Sequence, residues 1–281
     1  MTPDLHMHTT SSDGMLSPRE LVKLAASRGV TIMAITDHDA LSGVDSLRGE
    51  NTEIPVLTGT ELSLRDMKGL HLLGYGMGDA PELRRVLREL ADKRLTRARR
   101  MVEKLAQLGM PLDYDAICRG CGGSVGRLHI ARALVAGGYV RDTHEAFDRW
   151  IGNDCPAYVE GKRLSMAEAL PLMRRNGFVP VLAHPAELGK DDMTLRMLLE
   201  TWKEQGLMGV EVYHPAQMSR GFPRLDGMAR RMGFLVTGGS DFHSEGDGKH
   251  AAPGFTAPYW RSAAEDVAAL TAAMHEISHM N

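Results

Sequence analysis

Short apolar runs alternate with helix-forming stretches in two blocks of this chain, and that alternation restricts the folds open to it more than any other feature. In the first block the runs lie near residues 3–8, 31–36, 54–60 and 69–74. Between the first two, Ser17-Pro18-Arg19-Glu20 opens a helix, with Ser17 as N-cap, Pro18 as first helical residue, Glu20 as the returning carboxylate of a capping box and Gly29 as the stop. The second block starts near residue 165 with a helix to Asn176, then the strand FVPVLAH, a helix over 193–205, the strand MGVEVYH, a helix over 219–232 and the strand FLVTGGSDFH. Strands alternating with helices predict an α/β fold with a mainly parallel sheet, open or closed into a barrel.

The middle of the chain breaks this rhythm. Pro81 to about Leu108 reads as one long helix, and short helical pieces separated by glycines follow it. The expected organisation is therefore a first βα part over 1–99, a helical insert over 100–160 and a second βα part over 161–281. From Glu82 to Lys104 there are nine Lys or Arg against four Asp or Glu, read mostly as a solvated helical face. The whole chain carries 33 basic and 36 acidic residues, which argues against a surface made to coat polyanions but leaves room for a local basic site. Three cysteines cannot build a disulfide framework, and Cys118 and Cys121, spaced C-x-x-C without a second pair, read as incidental thiols. No apolar run approaches the ~20 residues of a membrane span, and no basic segment followed by an apolar one opens the chain. The expectation is a cytoplasmic protein with no membrane association and no obligate protein partner.

The chemistry is written where the strands end. In PDLHMHTTSSDG, His6 and His8 are two apart, so a strand presents both imidazoles to one side, and Asp13 follows. His38 in TDHD, Glu61 in TGTELS, His71 in GLHLLGYG, His184 in LAHP, and Asp241 and His243 in GGSDFH extend the series. Strand ends of parallel α/β folds converge on one face, where functional sites are built. Nine such residues exceed the needs of one ion, so two or three divalent metals are expected; imidazole and carboxylate without thiolate suit manganese, with iron or zinc as alternatives.

The segments HMHTTSSDG, TDHD, GTELS, AHP and GGSDFH resemble, in order and separation, the PHP (polymerase and histidinol phosphatase) superfamily. GRLHIARAL in the insert resembles a segment of its TrpH-like phosphoesterase subgroup, with Leu128 where proline is often found. The resemblance implies a distorted (β/α)7 barrel with a small helical insert domain and a three-metal centre at its mouth. It implies that His6, His8, Glu61 and Asp241 hold one ion, Glu61, His71 and His184 a second, and Asp13, His38 and His243 a third.

Other residues are read more openly. Asp37 and Asp39 either orient imidazoles or cap a helix. His214, at the end of EVYH, is a candidate proton donor or phosphate contact. His144, His250, His275 and His279 lack a strand-end setting and read as surface. Ser124, Arg127, His129 and Arg132 surround a glycine at a helix start, where backbone amides can approach an anion, and are read as a second phosphate site. Tyr158 and Lys162 follow the insert and are candidates to line the same cleft.

Such a site suits a phosphate monoester, attacked in line by a hydroxide bridging two ions. Asp241 would accept the water's proton, and His214 or His129 would protonate the leaving oxygen. Two activities follow from the subgroup resemblance: removal of the 3'-phosphate of nucleoside 3',5'-bisphosphates, and 5'-to-3' hydrolysis of short 5'-phosphorylated RNA. The first is favoured, because the net charge is not basic and aromatic residues are few. Histidinol phosphate hydrolysis would want an acidic contact for the substrate amine. A non-catalytic metal-stabilised module would not need the full ligand set, and amide hydrolysis would not use a basic insert.

Overall fold

The computed structural model describes residues 1–119, 125–246 and 251–280. All the apolar runs become strands: β1 Pro3–Asp4, β2 Ile32–Ile35, β3 Val56–Ser63, β4 His71–Gly76, β5 Phe178–Leu182, β6 Gly209–Tyr213 and β7 Leu235–Gly238. The described helices are α1 Pro18–Ser27, α2 Ser42–Asp45, α3 Pro81–Gln107, α4 Tyr114–Arg119, α5 Arg127–Ala136, α6 Thr143–Ala146, α7 Met166–Arg175, α8 Asp192–Glu204, α9 Phe222–Arg231 and α10 Ala263–His279. One π-helical turn, Phe147–Ile151, continues α6. The capping box forms on α1, where Ser17 and Glu20 satisfy each other's backbone amides, and Gly29 ends the segment at φ 80°. The pattern reading contained no counterpart of α10, whose alanine-rich sequence carries a weak apolar stripe.

The strands lie side by side in chain order. The sheet is parallel except for β4, which runs against both β3 and β5. Beyond β1 and β7 the chain ends draw together: Leu5 N–H donates to the Gly238 carbonyl (3.0 Å), His8 N–H to Phe242 (2.9 Å) and Asp241 N–H to His6 (2.9 Å), closing a seven-stranded barrel. Gly239 permits that closure, because a Cβ there would stand 2.5 Å from the His6 backbone nitrogen. The reversal of β4 matters for function. His71, its first residue, pairs with Ser63 at the end of β3, so the amino end of this one strand meets the carboxyl ends of its neighbours.

Two apolar cores lie along the chain. The larger fills the barrel and the layer between sheet and outer helices; the smaller joins Ala98, Met101 and Leu105 to Ile130, Leu134, Ile151 and Ala157. Helix α3 belongs to both, with Leu83 and Leu87 in the first and Ala98, Met101, Val102 and Leu105 in the second. Each buried leucine contributes about 1.5–3 kcal/mol, so both ends of this helix are firmly anchored. We propose that the smaller core defines a cap unit over about 100–160, with α3 crossing its boundary. Among the described residues no helix is long and apolar enough to cross a membrane.

Candidate metal centre

His6 and His8 leave β1, Glu61 lies within β3, and Asp241 follows β7; their ligating atoms meet at the barrel mouth. Nε2 of His6 lies 3.4 Å from Glu61 Oε2 and 3.3 Å from Asp241 Oδ1, and Nε2 of His8 lies 3.4 and 3.1 Å from the same two oxygens. Such spacings fit four atoms each about 2.0–2.2 Å from a common point, the distance at which imidazole and carboxylate hold a divalent cation. A second group joins Asp13, His38 and His243 with His8; Asp13 Oδ1 stands 3.3 Å from His243 Nε2. Glu61 is the hub. Its Oε1 is 2.9 Å from both His71 Nδ1 and His184 Nε2, and its Oε2 is 3.0 Å from His38 Nδ1, so His38 faces Glu61 with one nitrogen and Asp13 with the other.

These residues fit metal ions on two counts. His6 Nε2, both ring nitrogens of His8, His38 Nδ1 and Glu61 Oε2 are buried without a hydrogen-bond partner in the protein. Leaving a buried polar atom unpaired costs about 1–3 kcal/mol, so their convergence makes sense only with a non-protein partner. The carboxylates and His8 also hold the charge states that ligation needs, while against burial the same carboxylates raise His6, His184 and His243 and push His38 up to about 9, so there a cation would have to replace a proton. Burial pushes the carboxyl of Glu61 up, but His38, His71 and His6 outweigh it and hold it well below the usual range; burial likewise loses to His6 and His243 at Asp241, and to His38 and His243 at Asp13. Burial, with His243 adding, pushes the imidazole of His8 down to about 3, which keeps it neutral. Asp241 and His184 hold left-handed backbone, at φ 53° and 27°, a strain that non-glycine residues carry mainly at functional sites.

Asp37 and Asp39 do neither of the things expected of them. Asp37 accepts from Thr9 N–H (2.8 Å), Thr9 Oγ1 (2.7 Å) and Ser12 Oγ (2.6 Å), which shapes the loop carrying His8 and Asp13. Asp39 accepts from Ser63 N–H (3.2 Å) and pairs with Arg94 of α3, tying the barrel to the cap. The cap of α2 is Leu41. Among the described residues their bonds go to backbone amides, the hydroxyls of Thr9 and Ser12 and the Arg94 guanidinium, not to an imidazole.

Above the cluster lies a cleft of about 1430 Å³ between barrel and cap. Its floor includes Asp13, His38, Glu61, His71, His184, Asp241 and His243, and Arg94, Arg97, Arg127, Arg132, Lys162 and Arg163 line the cap side. Burial lowers the guanidinium of Arg97 to about 10, with Arg127 and Arg163 adding to it, so these cations crowd one another. Arg97 Nε donates to the Val159 carbonyl (2.6 Å), Arg127 donates to Asn153 (3.0 Å) and lies over the Phe147 ring (5.4 Å), and Arg132 donates to the Asp13 carbonyl (3.3 Å). His129 sits half-buried on the same turn as Arg127, with Nδ1 accepting from Gly126 N–H (3.0 Å). Tyr158 packs under Arg97 and Arg127. Ser124, Cys121 and His250 lie outside the described residues. His214 is buried behind the floor, with Nε2 3.5 Å from Asp241 Oδ2. His144 is exposed at the cleft edge beside Asp148 (2.9 Å), and His275 and His279 are exposed on α10.

The model of the PHP domain matches residues 4–93. A 5'-3' exoribonuclease of Haemophilus influenzae is 32% identical over 244 residues, 85% of this chain and 89% of that protein. A 3',5'-nucleoside bisphosphate phosphatase of Chromobacterium violaceum is 30% identical over 270 residues, 92% of this chain and 95% of that protein. The chain belongs to the PHP family. A solved Chromobacterium violaceum structure described as an amidohydrolase, with bound sulfate, superposes with a TM-score of 0.78 at 30% identity, covering 95% of this chain and 97% of the other. The barrel is thus a PHP barrel, distorted by its reversed β4.

Sequence reasoning missed parts of this PHP site. Arg94 and Arg97 were merged into a solvated helical face, although they are three apart and so share one side of α3. Glu211 was missed altogether; the available signal was a carboxylate inside the apolar run Val210-Glu211-Val212, where burial demands a partner.

Proposed function

We propose that this protein is a metal-dependent phosphatase that removes the 3'-phosphate of nucleoside 3',5'-bisphosphates, with two or three divalent ions, manganese first among them, at the barrel mouth. The observation that carries the reading is the pairing of a histidine-carboxylate floor with a wall of crowded arginines across one cleft, which suits a ligand with two phosphates. The relative from Chromobacterium violaceum supports it by name. His6, His8, Asp13, His38, Glu61, His71, His184, Asp241 and His243 would hold the ions. Bound there, divalent cations neutralise phosphoryl oxygens and acidify water.

The chain's own groups do the rest. Arg97, Arg127 and Arg132 hold the second phosphate by charge-assisted hydrogen bonds and set the distance of the first from the floor. Asp241, an ionised carboxylate, accepts the proton of the attacking water, and His214 behind it keeps the carboxylate in place. His129, two residues from the cleft-lining Arg127 on the first turn of α5, is the candidate to deliver the proton to the leaving 3'-oxygen; His214 is too deeply buried for that role. Water adds to phosphorus, the P–O3' bond breaks, and phosphate and a nucleoside 5'-monophosphate leave.

A second reading, 5'-to-3' hydrolysis of short 5'-phosphorylated RNA, is favoured by the Haemophilus influenzae relative. Cytoplasmic action is part of the proposal, in keeping with the free thiols of Cys118 and Cys155. The manganese-loaded protein is incubated with adenosine 3',5'-bisphosphate, with AMP and with a 5'-phosphorylated short RNA. Phosphate release from the bisphosphate, leaving AMP intact, is expected; faster mononucleotide release from the RNA would replace the first reading with the second.

A further inference from the structure

Glu211 stands on β6 between Val210 and Val212 and is completely buried, yet none of the proposed ligand sets contains it. Its two oxygens are both engaged. Oε1 is 2.9 Å from His6 Nδ1, and Oε2 accepts the backbone N–H of His184 at 2.8 Å. A carboxylate anion only accepts, so Nδ1 of His6 carries a proton, and in the neutral ring that ligation requires the lone pair is on Nε2, facing Glu61 and Asp241. The other contact falls on a strained residue, since His184 holds φ 27° and ψ 60°. A buried carboxylate that accepts from that N–H helps to keep the backbone in an otherwise unfavourable conformation, and with it the direction of the His184 ring toward Glu61.

We propose that Glu211 is a positioning residue that couples two metal positions, one oxygen fixing the ring and tautomer of His6 and the other pinning the backbone of His184. His6 and His184 belong to different proposed ions and follow β1 and β5, which lie on opposite sides of β6 around the closed barrel, β1 beyond β7 and β5 adjacent. Glu211 also lies within ligating reach of His6 and His214, but each of its oxygens already accepts one of the two positioning contacts, and positioning is the role assigned to it. The inference rests on the metal-centre reading and adds a dependence that reading lacks: one substitution outside the ligand set should weaken two positions together.

Glu211→Gln keeps size and shape but replaces one acceptor with an NH2 group. That group either faces the His184 N–H, donor against donor, or donates to His6 Nδ1 and drives the proton to Nε2, where it blocks ligation. Wild-type, E211Q and E211D proteins are stripped of metal. Mn2+ uptake is then followed by electron paramagnetic resonance and by elemental analysis of gel-filtered samples, beside thermal melts of the metal-free forms. In E211Q the metal bound per chain should fall, with affinity down ~10–100-fold, while the metal-free melt stays cooperative. E211D, an acceptor again but too short to span both partners, should lie between the two. Turnover of the bisphosphate should fall in kcat with KM unchanged, because the arginine wall is untouched. Wild-type stoichiometry and affinity in E211Q would overturn the coupling; if E211Q does not fold, wild-type affinity in E211D overturns it instead. A wild-type protein that takes up no manganese, zinc or iron removes the metal-centre reading beneath it as well.

Discussion

At the barrel mouth the polar side chains are buried and turn their hydrogen-bonding atoms toward one another, whereas on the cap side the arginines are partly buried and tied back to backbone carbonyls, side chains and aromatic rings, with Arg97 Nη2 left buried without a partner among the described residues. The first arrangement is intolerable without cations between the groups; the second is tolerable in water and improves when an anion arrives. The difference separates two tasks. Under the proposed function the floor commits its residues to reaction chemistry, where small displacements are costly, and the cap commits its residues to holding a charged ligand, where each contact is one among several. Substitutions in the two regions should therefore fail in different ways.

The largest effect should come from removing the ions. Dialysis against a chelator is expected to abolish turnover and lower the melting temperature, with manganese restoring both; turnover that survives verified metal removal would break the comparison outright. Next is Glu61→Gln, which weakens the hub shared by five histidines. A fall in kcat of about 10³-fold, or about 4 kcal/mol of barrier, is expected in steady-state assays, with KM for the bisphosphate little changed. Arg97→Ala should show the opposite pattern: KM up roughly 10–30-fold, matching the ~1.5–2 kcal/mol of a charge-assisted hydrogen bond, with kcat nearly intact and the loss growing at low salt. A kcat defect as large as that of Glu61→Gln would show that the arginine acts in the chemistry. The smallest effect should be Arg141→Ala at the rim, where the exposed guanidinium lies 3.0 Å from Glu145. Less than a twofold change in KM and no resolvable shift in a denaturant melt are expected of such a pair.

Much of this contrast was legible in the amino-acid order, for identifiable reasons. Strands announced themselves because their apolar runs are short and bounded, and the Ser17–Glu20 box formed because capping is a local transaction between neighbours. The nine floor residues could be collected because strand ends must converge. The direction of β4 was not legible: HLLGYG has the same apolar pattern whichever way it runs, and only tertiary pairing turns it so that His71 reaches the mouth from the strand's amino end. The roles of Asp37 and Asp39 were hidden for a similar reason, since their partners Thr9, Ser12, Ser63 and Arg94 are set by loops and by α3, not by local spacing. The arginine wall was hidden because α3 is basic on several faces, and which face turns inward depends on the cap core it helps to build. Glu211 escaped because a single acid in a strand carries no periodic signature.

The shared helix α3 makes the two regions a matter of counting residues. Leu83 and Leu87 fix its rotation against the barrel, and Arg94 and Arg97 lie two to three turns further along the same rod. One residue inserted between Leu87 and Arg94 would swing the arginines by about 100° around the axis and advance them by about 1.5 Å, away from the cleft, with no change in composition or charge. The chain can therefore exchange residues along the outer face of α3 freely, but it cannot change the length of that helix without uncoupling the grip on a ligand from the place where the ligand reacts.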